Sequence, residues 1–288
     1  SIVIINYNTA EVTIKSIQSI LDKTSYSPYE LIIIDNNSED SDQTILTNFC
    51  QSKSLPVRCM NENLGWSKGV NYGFSIAQGK YLVTINSDVI IPIKSWLINM
   101  VKILQADDKV GAVNANIHEN GKSIVSARNN KLKILHGACS IFSAKAWNLV
   151  GELDDKNFGF YGTENDWSYR ARSMGFSLIL SKDSVVNHLG SSIITNGGGL
   201  SVKNSGKSTE FFLMRLHDRV KFRVYNFRLS DWFSKQIIYE FKEAIKEGYL
   251  ILLVLAYLKV FANIKNIYLA RKQRNIKRKQ SIKILGSC

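Results

Sequence analysis

Along the first hundred residues, short β-branched runs alternate with segments of helical length. SIVIINY precedes 10–23, YELIIID precedes 40–50, PVRCMN precedes 66–78 and KYLVTIN precedes 94–106. That alternation predicts a mostly parallel sheet flanked by helices, an α/β fold. Runs such as IVII and LIII show no apolar–polar alternation, as expected of strands buried on both faces. In such sheets ligands sit beyond the carboxyl ends of the strands. Those ends are polar here: Asn6, Tyr7 and Asn8; Asp35, Asn36 and Asn37; Asn61 to Asn63; Asn86, Ser87 and Asp88.

After Val110 the pattern changes to VGAVNANI, then HGACSIFSAKAW, a helix expected over 164–175, and a last strand in FSLILSKDSVVNHLG. SSIITNGGGL carries three consecutive glycines and reads as a mobile loop or linker. Beyond Ser205 the segments become long, amphipathic and rich in Phe, Tyr, Lys and Arg. The expected boundary lies near residue 200, between a unit of 1–200 and a helical extension of 201–288.

Charge sharpens that division. The net charge is +13. Residues 1–204 hold 19 Lys and Arg against 18 Asp and Glu, and residues 205–288 hold 18 against 6. Cys50, Cys59, Cys139 and Cys288 lack paired metal-site spacing, which suits reduced thiols in a cytoplasmic protein. No basic segment followed by an apolar run opens the chain, so no secretory signal is expected.

The polar strand ends offer chemistry with a plainer alternative at each position. Asp35 could accept hydrogen bonds from a base or ribose, or could simply precede a helix capped by Ser38 to Asp40. Glycines 65, 69 and 73 in ENLGWSKGVNYG cost a helix about 1 kcal/mol each, which points to close backbone approach. Lys68 is then a phosphate contact or a solvated lysine. On an extended chain Asn86 and Asp88 would share a side. A carboxylate there, with His188, could hold a hard cation whose other ligands are water and phosphate. Glu164 and Asp166 begin a helix, either as dipole-favoured acids or as a base acting on a hydroxyl. Trp66, Trp147, Tyr161 and Trp167 could stack on sugar rings or fill the core.

Taken in order, SIVIINYN, IDNNSED, ENLGWSKGVNYG, INSDV, GACSIF, GELDDKNFGFYGTENDWSYR and VVNHLGSS resemble the inverting glycosyltransferases of family 2, of GT-A fold, over residues 1 to 195. The resemblance implies a UDP- or dTDP-linked sugar donor contacting Asn6, Tyr7, Asn8, Asp35, Asn37, Asn63, Gly65, Lys68, Asn86 and Ser87. It implies Mg²⁺ or Mn²⁺ on Asp88, the last position of the family's Asp-x-Asp motif, with His188 near the metal. Asn86 departs from that motif. Counting back from Arg170, the family's base falls on Glu164, with Asp166 as second choice. Trp66, His136, Trp167 and Arg170 would face the acceptor, a glycan or lipid-linked sugar. The chain lacks the Gln-x-x-Arg-Trp motif and the several membrane helices of processive synthases, so a single-addition enzyme is expected; the resemblance is to the rhamnosyltransferase-like type, with rhamnose from dTDP and a hexose or N-acetylhexosamine from UDP all open.

Two other classes compete with that reading. A nucleotidyltransferase would carry a Gly-rich basic loop after its first strand, which NYNTAEVT lacks. A nucleic-acid or carbohydrate-binding protein on a degenerate fold would use the basic extension but leave the strand-end carboxylates without a purpose. In the extension, the apolar run Tyr249 to Leu258 is too short to span a bilayer, which needs about 20 residues. An in-plane helix on the anionic inner face of the cell membrane is expected, with Arg271, Lys272, Arg274, Lys277, Arg278 and Lys279 exposed; a packed helical pair or a homodimer is the alternative.

Overall fold

The computed structural model describes residues 1–158, 162–190, 209–226, 235–246 and 248–286. Tyr161, the SSIITNGGGL segment and the boundary near residue 200 lie outside them. The N-terminal half follows the predicted alternation: β1 (Ile2–Asn6), α1 (Ala10–Lys23), β2 (Leu31–Asp35), α2 (Asp40–Ser52), β3 (Val57–Cys59), α3 (Gly65–Ser75) and β4 (Tyr81–Asn86). A two-residue β5 (Val89–Ile90) precedes α4 (Trp96–Ala106). Then come β6 (Val110–Glu119), β7 (Lys122–Ser123), β8 (Cys139–Ser143), α5 (Ala144–Val150), α6 (Thr163–Ser173) and β9 (Ser177–His188).

The sheet runs β3-β2-β1-β4-β8-β6-β9-β5, with β7 attached to β6. β3, β2, β1 and β4 are parallel, as expected, and so are β6 and β9. The sheet as a whole is mixed rather than mostly parallel. β8 inserts antiparallel to both β4 and β6, and β5 pairs antiparallel with β9. The departure arises because β8 follows a long irregular segment after β7 rather than a crossover helix, so nothing forces the parallel sense.

Alternate residues of each buried strand feed two apolar layers. Ile2, Ile4, Ile33 and Ile85 face α1, α2 and α4, where Ile17, Leu46 and Trp96 close one core. Val3, Ile32, Ile34 and Leu82 face α3, α5 and α6, where Phe74, Trp147 and Trp167 close the other. Helices on both faces explain why the strands carry continuous apolar runs. The extension forms α7 (Thr209–Asn226), α8 (Lys235–Lys246), α9 (Leu250–Phe261) and α10 (Ile264–Gly286). They share a smaller core of Leu216, Val220, Val224, Leu253, Ala256 and Val260.

The glycines of α3 do permit close approach. A Cβ on Gly73 would lie 2.5 Å from Val3 Cγ1 and 3.1 Å from Ile34 Cδ1, and one on Gly69 would lie 2.8 Å from Ile5 Cδ1. Gly73→Ala therefore sets a helix-propensity gain of about 1 kcal/mol against an overpacking cost of about 1–3 kcal/mol. Val3 is β-branched and stiff, so the clash should win. Urea unfolding is expected to show net destabilisation; a more stable variant would mean that α3 does not need its glycines for packing.

Candidate functional site

Strand register lines up the first half of the site. Asn6 pairs with Asp35 across β1 and β2, and Ile5 pairs with Asn86 across β1 and β4. Asn6 and Asp35 are fully buried. Asp35 accepts from Asn6 Nδ2 at 2.8 Å, Ser38 N at 3.0 Å, Ser38 Oγ at 2.7 Å and Gln43 Nε2 at 2.9 Å. Burial alone would raise its pKa, but the bonds from Gln43, Asn6 and Ser38 outweigh it and hold the carboxyl below its ordinary value. Its acceptor capacity is thus largely spent inside the protein, and it acts by shaping the loops around it. Asn8 and Asn37 adopt left-handed conformations, φ 52° and 64°, which Asn tolerates better than most residues. Asn8 N donates to Ser38 Oγ, and Asn8 Oδ1 accepts from Glu39 N. Tyr7 and Asn37 stay exposed at the rim.

Asn36 ties in the third loop. Its Nδ2 donates to Asn63 Oδ1 at 2.8 Å, and its Oδ1 accepts from Leu64 N. Gly65, at φ 73°, donates its N–H to Asn63 Oδ1 as α3 begins. Lys68 is exposed on the same turn and pairs loosely with Glu62 at 3.4 Å.

Asp88 sits in a tight turn after β4, not on an extended strand, so the shared-side argument for Asn86 and Asp88 does not apply. What places Asp88 is the pairing of β5 with β9. Val89 pairs with His188, and Leu189 N donates to Asp88 O. His188 Nε2 then lies 3.2 Å from Asp88 Oδ1. On its other side His188 Nδ1 lies 2.7 Å from Glu119 Oε1. Glu119 is delivered by the β6–β9 register, in which His118 pairs with Asn187. Burial would lower the His188 pKa, but Asp88 and Glu119 together hold it above its ordinary value. Among the described residues no three His, Cys, Asp or Glu side chains are grouped so as to hold a metal ion.

Glu164 stands at the opposite wall. Gly137 leaves the space it occupies, since a Cβ there would collide with Glu164 Oε1 and touch Trp66 Cη2 at 3.4 Å. Glu164 Oε2 accepts from Thr163 Oγ1 at 3.1 Å, and Thr163 accepts from Ser67 Oγ at 2.9 Å. Crowding by surrounding protein pushes the carboxyl pKa up, against the smaller effect of these bonds. Trp66 Nε1 donates to Asn86 Oδ1 at 3.1 Å. One indole therefore borders both Glu164 and the Asn86–Asp88 turn. His136 lies near His188, with ring centroids 6.1 Å apart, and burial followed by the His188 charge lowers its pKa.

Four residues expected at the site, Asp166, Trp167, Arg170 and Trp147, lie inside the protein. Asp166 is fully buried. It receives Arg170 Nε at 2.8 Å, Arg274 Nη1 at 2.7 Å and Asn226 Nδ2 at 2.8 Å. Arg170 also donates to the Val150 and Glu152 carbonyls, each at 2.7 Å. Trp167 is buried against Phe142 and Trp147 and donates Nε1 to Gly151 O. Buried and bonded to three donors, Asp166 is out of reach of an incoming hydroxyl, and Trp167, Arg170 and Trp147 are buried away from a sugar. Arg274 reaches Asp166 from α10 and also binds Asp154, so the extension clamps the helix that carries Glu164. The sequence reading missed Glu119 and Arg274. Glu119 ends an ordinary-looking strand, and Arg274 lies 108 residues from its partner.

This arrangement, a mixed sheet between helical layers with polar residues gathered at the ends of β1, β2, β4 and β9, is that of the GT-A glycosyltransferases. The chain matches the family model "Glycosyl transferase family 2" over residues 1–151, more than half its length, and belongs to that family of glycosyltransferases. A glycosyltransferase from Nostoc sp. is 28% identical over 153 residues, 51% of this chain and 47% of its own. The minor teichoic acid biosynthesis protein GgaB of Bacillus subtilis is 23% identical over 257 residues, 76% of this chain and 28% of its own. Among solved structures, the mannosyltransferase PcManGT from Pyrobaculum calidifontis, in complex with GDP-Man and Mn²⁺, superposes with a TM-score of 0.61 at 15% identity. The match covers 98% of this chain and 85% of that one.

The Asp166 cluster predicts a pH dependence of stability. Burial would raise its pKa, but Arg170, Arg274 and Asn226 outweigh it and depress the value. A depressed carboxyl contributes stability that is fully present above its unfolded pKa of about 3.9 and lost as pH falls through the lower folded value. Asp166→Asn should cost about 3–5 kcal/mol at pH 7, and the gap from wild type should shrink below about pH 4. A gap that stays constant as pH falls would mean that ion pairing is not what Asp166 contributes.

Proposed function

We propose that the protein transfers one sugar from a nucleotide-diphosphate donor to a hydroxyl of a glycan or lipid-linked acceptor, with inversion at the anomeric carbon and dependence on Mg²⁺ or Mn²⁺. The observation that carries this reading is Trp66: the same indole flanks a carboxyl of raised pKa, Glu164, and the turn that presents Asp88. A base and a phosphate-side cation site bordering one aromatic surface suit displacement at a sugar carbon lying between them. Family membership supports glycosyl transfer over nucleotidyl transfer or simple nucleic-acid binding.

The residues fit a hard divalent cation. Asp88 Oδ1 and His188 Nε2, 3.2 Å apart, match the ~3 Å between neighbouring ligands of an octahedral ion with bonds near 2.1 Å. Two protein ligands leave the remaining positions to water and donor phosphates, the usual arrangement for such ions. Asp88 and His188 would hold the ion, whose charge stabilises the departing diphosphate. Glu119 holds His188 by Nδ1, which directs Nε2 to Asp88 and settles the ring's orientation. Tyr7, Asn8, Asn36 and Asn37 border the space for base and ribose. Glu164 takes the proton of the acceptor hydroxyl, and its raised pKa brings it closer to the range in which a carboxylate is an effective base near neutrality. PcManGT was solved with GDP-Man and Mn²⁺, and GalNAc-T7 with UDP, GalNAc and Mn²⁺. Donor screening should therefore include GDP-sugars beside UDP- and dTDP-sugars.

Glu164→Gln is expected to retain donor affinity and to lose at least about 10²-fold in nucleoside-diphosphate release from the donor that wild type consumes. Near-normal release would remove Glu164 as the base. For the positioning role, Glu119→Ala should weaken Mn²⁺ binding, followed by electron paramagnetic resonance, by about 10–100-fold. Unchanged Mn²⁺ affinity in that variant, beside a loss in Asp88→Ala, would show that Glu119 does not orient the ligand.

A further inference from the structure

We propose that α9, with the neighbouring parts of α8 and α10, is a docking face for an anionic bilayer surface, on which α9 lies in the plane of the interface. α9 has two apolar faces. Leu253, Ala256 and Val260 turn inward and pack with Leu216, Val220 and Val224 of α7. Ile251, Leu255 and Leu258 turn outward, 75%, 50% and 61% exposed. Their spacing of four and three residues makes them one stripe along the helix. Ile245 of α8 and Ile264 and Tyr268 of α10 are exposed as well. An exposed apolar stripe with further exposed apolar residues on the neighbouring helices marks an interaction site.

Charge decides what covers it. Lys242, Lys259, Lys265 and Lys272 are exposed on the same three helices. From Gly248 to the C-terminus the chain has nine Lys and Arg and no acid. A second copy bound about a two-fold axis would bring these basic rims together and repel, whereas an anionic leaflet attracts each of them. Geometry sets the mode. No single described helix is long and apolar enough to cross a membrane; α9 and α10 together have the length and composition of a broken span, but they bend by 68° at their junction, and Leu253, Ala256, Val260 and Ile267 are buried in the core of the extension. Twelve residues of α9 reach only about 18 Å, against a hydrocarbon core of about 30 Å. A short helix with an apolar stripe and a lysine border lies in the interface instead.

The structure also corrects which basic residues take part. Arg274 is committed to Asp154 and Asp166, Arg271 Nη1 donates to Val224 O, and Arg278 Nε donates to Ser173 O. These three brace the extension on the catalytic unit, so reversing their charge would test folding rather than docking. Of the expected exposed cluster on α10, Arg271 and Arg274 are thus drawn into packing, while Lys272, Lys277, Arg278 and Lys279 are exposed as expected.

The full chain is tested by co-sedimentation with vesicles of phosphatidylcholine alone and of phosphatidylcholine with phosphatidylglycerol. Wild type should bind the anionic vesicles at low salt. Ile251→Ser/Leu255→Ser/Leu258→Ser should lose at least about 10-fold in binding while keeping the wild-type melting temperature, because these side chains contribute little to the core. Lys259→Glu/Lys265→Glu should weaken binding to anionic vesicles only, with the difference vanishing as salt screens it. Nucleotide binding at the distant cleft should be unchanged in both, so the outcome is separate from the transfer reading. Failure of wild type to bind anionic vesicles, or serine and glutamate variants that both bind as wild type does, would overturn the proposal. Conversion of a wild-type dimer to monomers by the serine variant, without vesicle binding, would assign the face to a second copy and overturn it equally.

Discussion

A fully buried carboxylate, Asp35, sets the terms for the donor end of the cleft. An ionised group taken out of water costs several kcal/mol unless it is paired or hydrogen-bonded. Asp35 meets that demand through Asn6, Ser38 and Gln43, and meeting it fixes the chain leaving β1 and β2. Asn6 in turn accepts from Thr9 and Thr13 and donates to Asp42. The loops are therefore held from beneath, and their outward residues, Tyr7, Asn8 and Asn37, are presented in left-handed or exposed positions. Rigid support below and polar side chains above is what a donor site needs to bind without paying to order itself.

The wall that carries the proposed base obeys the same rule with different partners. Asp166 is buried on α6 two residues beyond Glu164, and its charge is met by Arg170 from its own helix and by Arg274 from α10. Lys221 and Tyr225 of α7 hold Asn157 in the segment leading toward α6. The extension therefore does more than hang beside the catalytic unit: it completes the ion cluster that anchors the helix carrying the proposed base. One face of the four C-terminal helices thus serves the active site, while the outer face of α9 is left to solvent or a bilayer.

Much of this was legible in the amino-acid sequence where the signal is local. α1 was expected over 10–23 and forms at Ala10–Lys23, and α2 and α4 begin within two residues of expectation. Polar residues at the ends of apolar runs do come together in the fold, Asn6 with Asp35 and Asn36 with Asn63. What could not be read is what depends on distant pairing. β8 turns the sheet mixed, and nothing near residue 140 announces its direction. Asp166 reads locally as a helix-dipole acid, and its pairing with Arg274, 108 residues away, is what sequence spacing could not show beside the local pair with Arg170. Glu119 becomes meaningful only once β6 and β9 run side by side and bring His188 against it. Trp167 and Arg170, read as acceptor contacts from their neighbourhood to Glu164, lie on faces of α6 that point into the core.

The central claim is that the turn after β4 and the end of β9 bind a nucleoside diphosphate through a divalent cation on Asp88. Isothermal titration of UDP, dTDP and GDP into wild type and Asp88→Ala, with and without Mn²⁺, addresses it directly. One of these nucleotides should bind wild type with Mn²⁺, omitting the metal should weaken binding at least about 10-fold, and Asp88→Ala should abolish the metal's effect while leaving the melting temperature of the unliganded protein unchanged. Binding that is equally tight without Mn²⁺, or equally metal-sensitive in Asp88→Ala, would contradict it.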